Sequence, residues 1–76
     1  MIVGSTEEFG NAIRARRKEL GYTQVFVSEC TGLSVSFISE LENGKSTAEL
    51  GKALFLANIL GIDFSLKPRK KFKIVY

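Results

Sequence analysis

The sequence predicts a mostly α domain of four to five helices that ends in a short β-strand, and three patterns carry that prediction. Apolar residues recur at three- and four-residue spacing in four segments between Phe9 and Leu60. Each segment follows a Ser or Thr and is closed by a Gly, the residue types that cap and stop helices. From Ile62 the period drops to two, which is the signature of a half-buried strand. The chain's 76 residues, 45% of them apolar, make one small domain. A domain of this size buries only about 60% of its unfolded surface, so its core is thin and a partner subunit would add to it.

Ser5 followed three residues later by Glu8 has the form of a capping box, and Phe9, Ala12, Ile13 and Leu20 then share one face until Gly21. The first helix is therefore expected from about Thr6 to Leu20. Thr23 caps a second helix from Gln24 to about Thr31, which Gly32 ends. Ser34 caps a third, from Val35 to about Asn43, closed by Asn43 and Gly44. Thr47 is the expected cap of a fourth, from Ala48 to Leu60, stopped by Gly61.

An advance of roughly 100° per residue sorts the faces. In the third helix Phe37, Ile38 and Leu41 fall together, leaving Val35, Ser36, Ser39 and Asn43 on the outward side. Short outward side chains let a helix approach base edges closely. The second and third helices, joined at Gly32, form a helix-turn-helix, a device that lays its second helix in the major groove of DNA. The fourth helix carries two apolar faces: Leu50, Ala53, Leu54, Ala57 and Leu60 on one, Phe55 and Ile59 on the other, extended by Ile62. A domain this small can cover only one of them. The second is either a dimer surface or a bed for the C-terminal segment.

Ile62, Phe64 and Leu66 alternate with polar residues up to Pro68, which ends the run. A second alternation at Phe72, Ile74 and Tyr76 would make a hairpin with the first, but an isolated hairpin is only marginally stable. Pairing across a dimer, or packing on the helices, is the expected alternative. The chain divides into a helical domain over residues 1–62 and a C-terminal strand and basic tail over residues 63–76.

The formal charge of +3 fits a polyanion-binding module, and its distribution is more informative than its size. Arg14, Arg16, Arg17 and Lys18 form one basic cluster, and Lys67, Arg69, Lys70, Lys71 and Lys73 crowd the C-terminal tail as phosphate or protein contacts or as a solvated run. With one cysteine, Cys30, and no histidine, no disulfide framework and no Cys/His metal site is expected within one chain, and Cys30 is expected to be a half-buried helix residue. No cofactor loop and no nucleophile with an adjacent base is recognisable, so no enzyme is expected. The start, Met1 to Glu8, is unlike a signal peptide, and Leu54 to Leu60 is too short to span a bilayer, so the chain is placed in the cytoplasm.

From Phe9 to Ile62 the chain resembles the Cro/C1-type helix-turn-helix family of bacterial and phage repressors, with its lambda-repressor-like fold. The residues in register are Phe9, Gly10, Ile13, Arg14 and Arg17, then Gly21, Thr23, Gln24, Gly32, Ser34, Ile38 and Ser39, then Glu42, Asn43, Gly44 and Lys45. The continuation from Thr47 to Arg69 is similar to the narrower HipB-like antitoxins, in which a C-terminal strand pairs across the dimer. The subgroup implies a homodimer that represses its own operon at a near-palindromic double-stranded operator and holds a HipA-like toxin kinase.

Carried over by position, the resemblance implies that Gln24 contacts a phosphate, that Ser34, Asn43 and Lys45 add backbone contacts, and that Val35, Ser36 and Ser39 meet base edges with Glu40 at the margin. It makes Arg17 and Glu42 a buried structural ion pair, and Phe55, Ile59, Ile62, Phe64 and Leu66 the dimer interface. Val35 and Ser36 stand where many relatives carry Gln or Arg, so part of the specificity is expected from DNA shape. Glu40 either accepts from a cytosine amino group or points aside into solvent. Val25 and Phe26 are apolar where the family is usually polar, Phe26 packing on Ile2 and Val3 or joining a protein-binding patch. A competing role is a protein-interaction module that neutralises a toxin with little DNA binding; a stand-alone phage-type repressor is another.

Overall fold

A computed structural model describes residues 3–66 and residue 68. Its four helices are α1 (Thr6–Glu19), α2 (Gln24–Thr31), α3 (Val35–Glu42) and α4 (Leu50–Ile59). Local chemistry explains the first three starts. The hydroxyls of Ser5, Thr23 and Ser34 accept from the backbone N–H of Glu8, Phe26 and Phe37, each three residues on, satisfying one donor that has no partner within the helix. α2 ends at Gly32 with φ at +78°, a left-handed geometry a side chain would resist.

One core holds these helices together: Ile13 from α1, Val27 from α2, Ile38 and Leu41 from α3, and Ala53, Leu56, Ala57 and Leu60 from α4 and its end. Phe9, Leu20, Leu33, Phe37, Ala48 and Ile62 pack around it. α1 meets the end of α3 at Gly10, where a Cβ would lie 2.4 Å from the carbonyl oxygen of Leu41. Neither backbone can yield at that distance, so the glycine sets how closely the two helices approach. Arg16 ties α1 to the far end of α4, its Nε donating to the carbonyl of Leu60 at 2.8 Å. A cation on terminal carbonyls offsets the negative end of that helix's dipole.

Three expectations are corrected here. The fourth helix begins at Leu50, not Ala48, and Thr47 does not cap it; Glu49 stands at the cap and supplies no side-chain bond. Ser46 to Ala48 instead turn, which lets Ala48 pack on the core. The inward face of α4 is also rotated from the expected one. Leu56 is fully buried, whereas Leu50 is 70% exposed and Leu54 is exposed as well. Cys30 is exposed on α2 rather than half-buried.

Among the described residues no strand forms. A strand needs a second backbone, and the expected partner within the chain, Phe72 to Tyr76, lies outside the described residues, as does most of the basic tail. Ile62 leans on the core, and Phe64 stacks on Phe9 of its own chain with ring centroids 5.5 Å apart. Leu66 is 96% exposed. The period of two is thus expressed as two anchored side chains and one that is exposed.

Candidate nucleic-acid interface

α3 presents the outward stripe that its sequence spacing dictates. Ile38, Leu41 and Glu42 are buried, which turns Val35, Ser36 and Asn43 to solvent with Ser39 half-buried beside them. The helix has 8 residues, so it is roughly 12 Å long at about 1.5 Å per residue. At about 3.6 residues per turn that is little more than two turns, and Val35, Ser36 and Ser39 lie along them. Ser34, just before them, spends its hydroxyl on capping Phe37, so any backbone contact it makes competes with or extends that bond.

Behind the stripe lies a buried polar cluster. Arg17 donates from Nε to one Glu42 carboxylate oxygen at 2.7 Å and from its second terminal nitrogen to the other at 2.9 Å. Its remaining terminal nitrogen donates to the carbonyl of Tyr22 at 2.8 Å. A two-pronged guanidinium–carboxylate pair fixes orientation as well as distance, and this one ties α1, the turn before α2 and the end of α3 into one frame. The hydrogen bond that Arg17 donates to Glu42, reinforced by the carboxylate's charge, raises the Arg17 pKa above an already high value despite the desolvation that opposes it. Gln24 joins the cluster, its side-chain amide donating to Glu42 at 3.1 Å. Among the described residues no buried side-chain polar atom lacks a partner.

Glu40 sits on the exposed side of α3 and pairs with Lys45, with a long contact from the Ser36 hydroxyl at 3.4 Å. The Lys45 hydrogen bond and charge hold the Glu40 carboxyl below its usual range. Glu40 is exposed, and it covers the cation that the resemblance assigns to a phosphate. Such exposed pairs contribute little and exchange readily, so Lys45 is not locked away from an incoming phosphate. Sequence spacing offered no signal for this pair, because Glu40 and Lys45 belong to different elements.

The remaining candidates separate from this surface. Phe55 and Ile59, 46% and 53% exposed, form one apolar edge of α4, and Leu50 and Leu54 are exposed on another side of the helix. Ile62 and Phe64 belong partly to the chain's own packing. Val25 and Phe26 are exposed at the start of α2, where Phe26 packs on Tyr22 with ring centroids 4.9 Å apart. Of its expected neighbours, Ile2 lies outside the described residues and Val3 is exposed. Among the described residues no cluster of His, Cys, Asp or Glu could hold a metal ion, and no helix is long and apolar enough to cross a membrane.

A family model described as helix-turn-helix matches residues 13–67. The chain is 34% identical over 59 residues to an uncharacterised HTH-type transcriptional regulator, y4mF, of Sinorhizobium fredii, covering 78% of each protein. It is 36% identical over 66 residues to another, YazB, of Bacillus subtilis, covering 86% of this chain and 96% of that one. In fold it is similar to HipB in the HipB-O4 20mer complex, with a TM-score of 0.81 at 23% identity over 92% of this chain and 99% of that one. The same score, identity and coverage hold for a chain of the HipA-HipB-O2-O3 complex.

Proposed function

The chain belongs to the helix-turn-helix family of Cro/C1-type transcriptional regulators, and from that premise we propose that it is a dimeric repressor that reads operator DNA with α3. The observation that carries the reading is the stripe of Val35, Ser36 and Ser39, turned outward by the burial of Ile38 and Leu41 and braced from behind by the Arg17–Glu42 pair. Val35, Ser36 and Ser39 meet base edges; Gln24, Ser34, Asn43 and Lys45 contact phosphates and set the register. None of the three readers makes a long two-pronged contact, so DNA shape supplies part of the specificity.

The helical domain through residue 62 holds this surface, and the segment after it serves assembly. The α4 face of Phe55 and Ile59, with Leu66 beyond it, pairs with a second copy. Two copies of α3 then face half-sites about one helical turn apart, roughly 34 Å, on a near-palindromic operator. Likeness of fold to HipB in a complex with HipA supports an antitoxin that also holds a HipA-like kinase, and the exposed Val25, Phe26 and Tyr22 cluster is a surface on which a protein partner can rest. A HipA-like gene beside this one favours that role, and its absence favours a stand-alone repressor.

Titration of the duplex upstream of its own gene tests the DNA reading. Lysine and arginine contacts release counterions, so affinity falls steeply between about 50 and 200 mM salt, by a factor set by the number of phosphates neutralised. A flat salt response contradicts the proposal and favours a protein-interaction module instead.

A further inference from the structure

We infer that Glu42 is a positioning residue for the DNA backbone contact, fixing which way the Gln24 amide faces. The inference rests on the reading of Gln24 as a phosphate-contacting residue. Glu42 is almost wholly buried, with a side chain 3% exposed, and its two oxygens receive both prongs of Arg17. One of them also receives the side-chain amide of Gln24 at 3.1 Å. An ionised carboxylate only accepts, whereas a glutamine amide donates from one end and accepts at the other. The end facing Glu42 must therefore be the nitrogen, because the flipped amide would set its oxygen against a carboxylate oxygen.

That choice decides what remains for DNA. The Gln24 nitrogen has two N–H groups, and Glu42 takes one. Gln24 is half-buried, so its remaining polar atoms can reach the surface of α2. Phosphate oxygens only accept, and the second N–H is the group that can serve them. Arg17 is needed as well, since its two bonds hold the carboxylate stationary. The network thus carries the packing of α1 against α3 into the orientation of one side chain on α2. With a neutral residue in place of Glu42, either end of the amide could face inward, and the donating orientation would become one of two.

A double-mutant cycle on the full chain tests this at a temperature where circular dichroism shows every variant folded. A hydrogen bond to a charged group is worth about ten-fold in affinity or more. Gln24→Ala is therefore expected to weaken binding about ten-fold, equally for the upstream duplex and an unrelated one, because phosphate contacts carry no sequence information. Glu42→Gln is expected to weaken binding about two-fold while Gln24 is intact, because about half of the molecules keep the donating orientation, and to leave binding essentially unchanged once Gln24 is alanine. Independent, multiplying losses would make Glu42 merely structural and overturn the inference. Unchanged binding by Gln24→Ala would overturn it too.

Should Glu42→Gln not fold, the wild-type protein supplies the test. The two side-chain amide protons of Gln24 should give separate NMR signals, and duplex should move mainly the one not bonded to Glu42. Equal movement, or none, contradicts the assignment. Wild type that binds no duplex at all overturns the DNA reading itself, whereas wild type that binds with independent losses overturns only the role of Glu42.

Discussion

Arg17 shows what a single side chain does here. It is buried, and its partner Glu42 is buried with it. Removing one member of such a pair leaves the other charge without compensation, which costs on the order of 3 kcal/mol. Arg17→Ala is expected to lower the thermal midpoint by at least about 10 °C, given the small unfolding entropy of a domain this size. A shift within about 2 °C, small on the same scale, would mean that the pair is not energetically buried. The exposed pair behaves differently. Lys45 holds the Glu40 carboxyl below its usual range, so the pair's contribution is present above the unfolded carboxyl's pKa and is lost as pH falls through the depressed folded value. An NMR titration of Glu40 in Lys45→Ala should show its midpoint rising toward that of an ordinary glutamate, and an unchanged midpoint would remove the pair. Little of this was legible in residue order: helical spacing places Glu40 and Ser36 on one side, but Lys45 and Gln24 reach their partners only after the turns have folded. Gly10 is similar, since its need appears only where the backbone at Leu41 and Glu42 passes over it.

At the level of elements, legibility followed the range of the interaction. α2 runs between the residues its caps predict, and α1 and α3 end within a residue of expectation, because a capping hydroxyl and the N–H it receives are three positions apart. α4 escaped the same logic. Thr47 has the chemistry of a cap, but Ser46 to Ala48 turn so that Ala48 reaches the core, and that demand comes from tertiary packing. Its inward face is not legible for a related reason: a helix apolar on two sides offers no polar reference, and the core shared with Ile13 and Ile38 takes in Leu56 rather than Leu54. The contrast between two threonines checks this account. Thr23→Ala should destabilise by about 1 kcal/mol, as loss of a working cap does, whereas Thr47→Ala should stay within about 0.5 kcal/mol in denaturant titration. Equal costs would mean that Thr47 caps after all.

For the molecule as a whole, the uncovered surface is the part that the single chain leaves unexplained. Leu50, Leu54, Phe55 and Ile59 lie exposed along α4, and Leu66 is exposed after it. The apolar residues needed for a second face were visible in the sequence, whereas the stacking of Phe64 on Phe9, which takes part of the C-terminal segment into the chain's own packing, was not. Sedimentation should give wild type about twice the mass of Phe55→Asp, a charge that an apolar interface would have to desolvate. Equal monomer masses would leave α4 with some other partner. A dimer in turn sets the geometry of the DNA reading, since one α3 is too short to specify an operator alone. The central claim, that Val35, Ser36 and Ser39 form the reading stripe, is met most directly by a gel-shift titration of the upstream duplex with wild type and with Ser36→Glu and Ser39→Glu combined. The account predicts specific retardation by wild type and its loss in the folded double variant, where two carboxylates would meet the groove; retardation undiminished in that variant would contradict it.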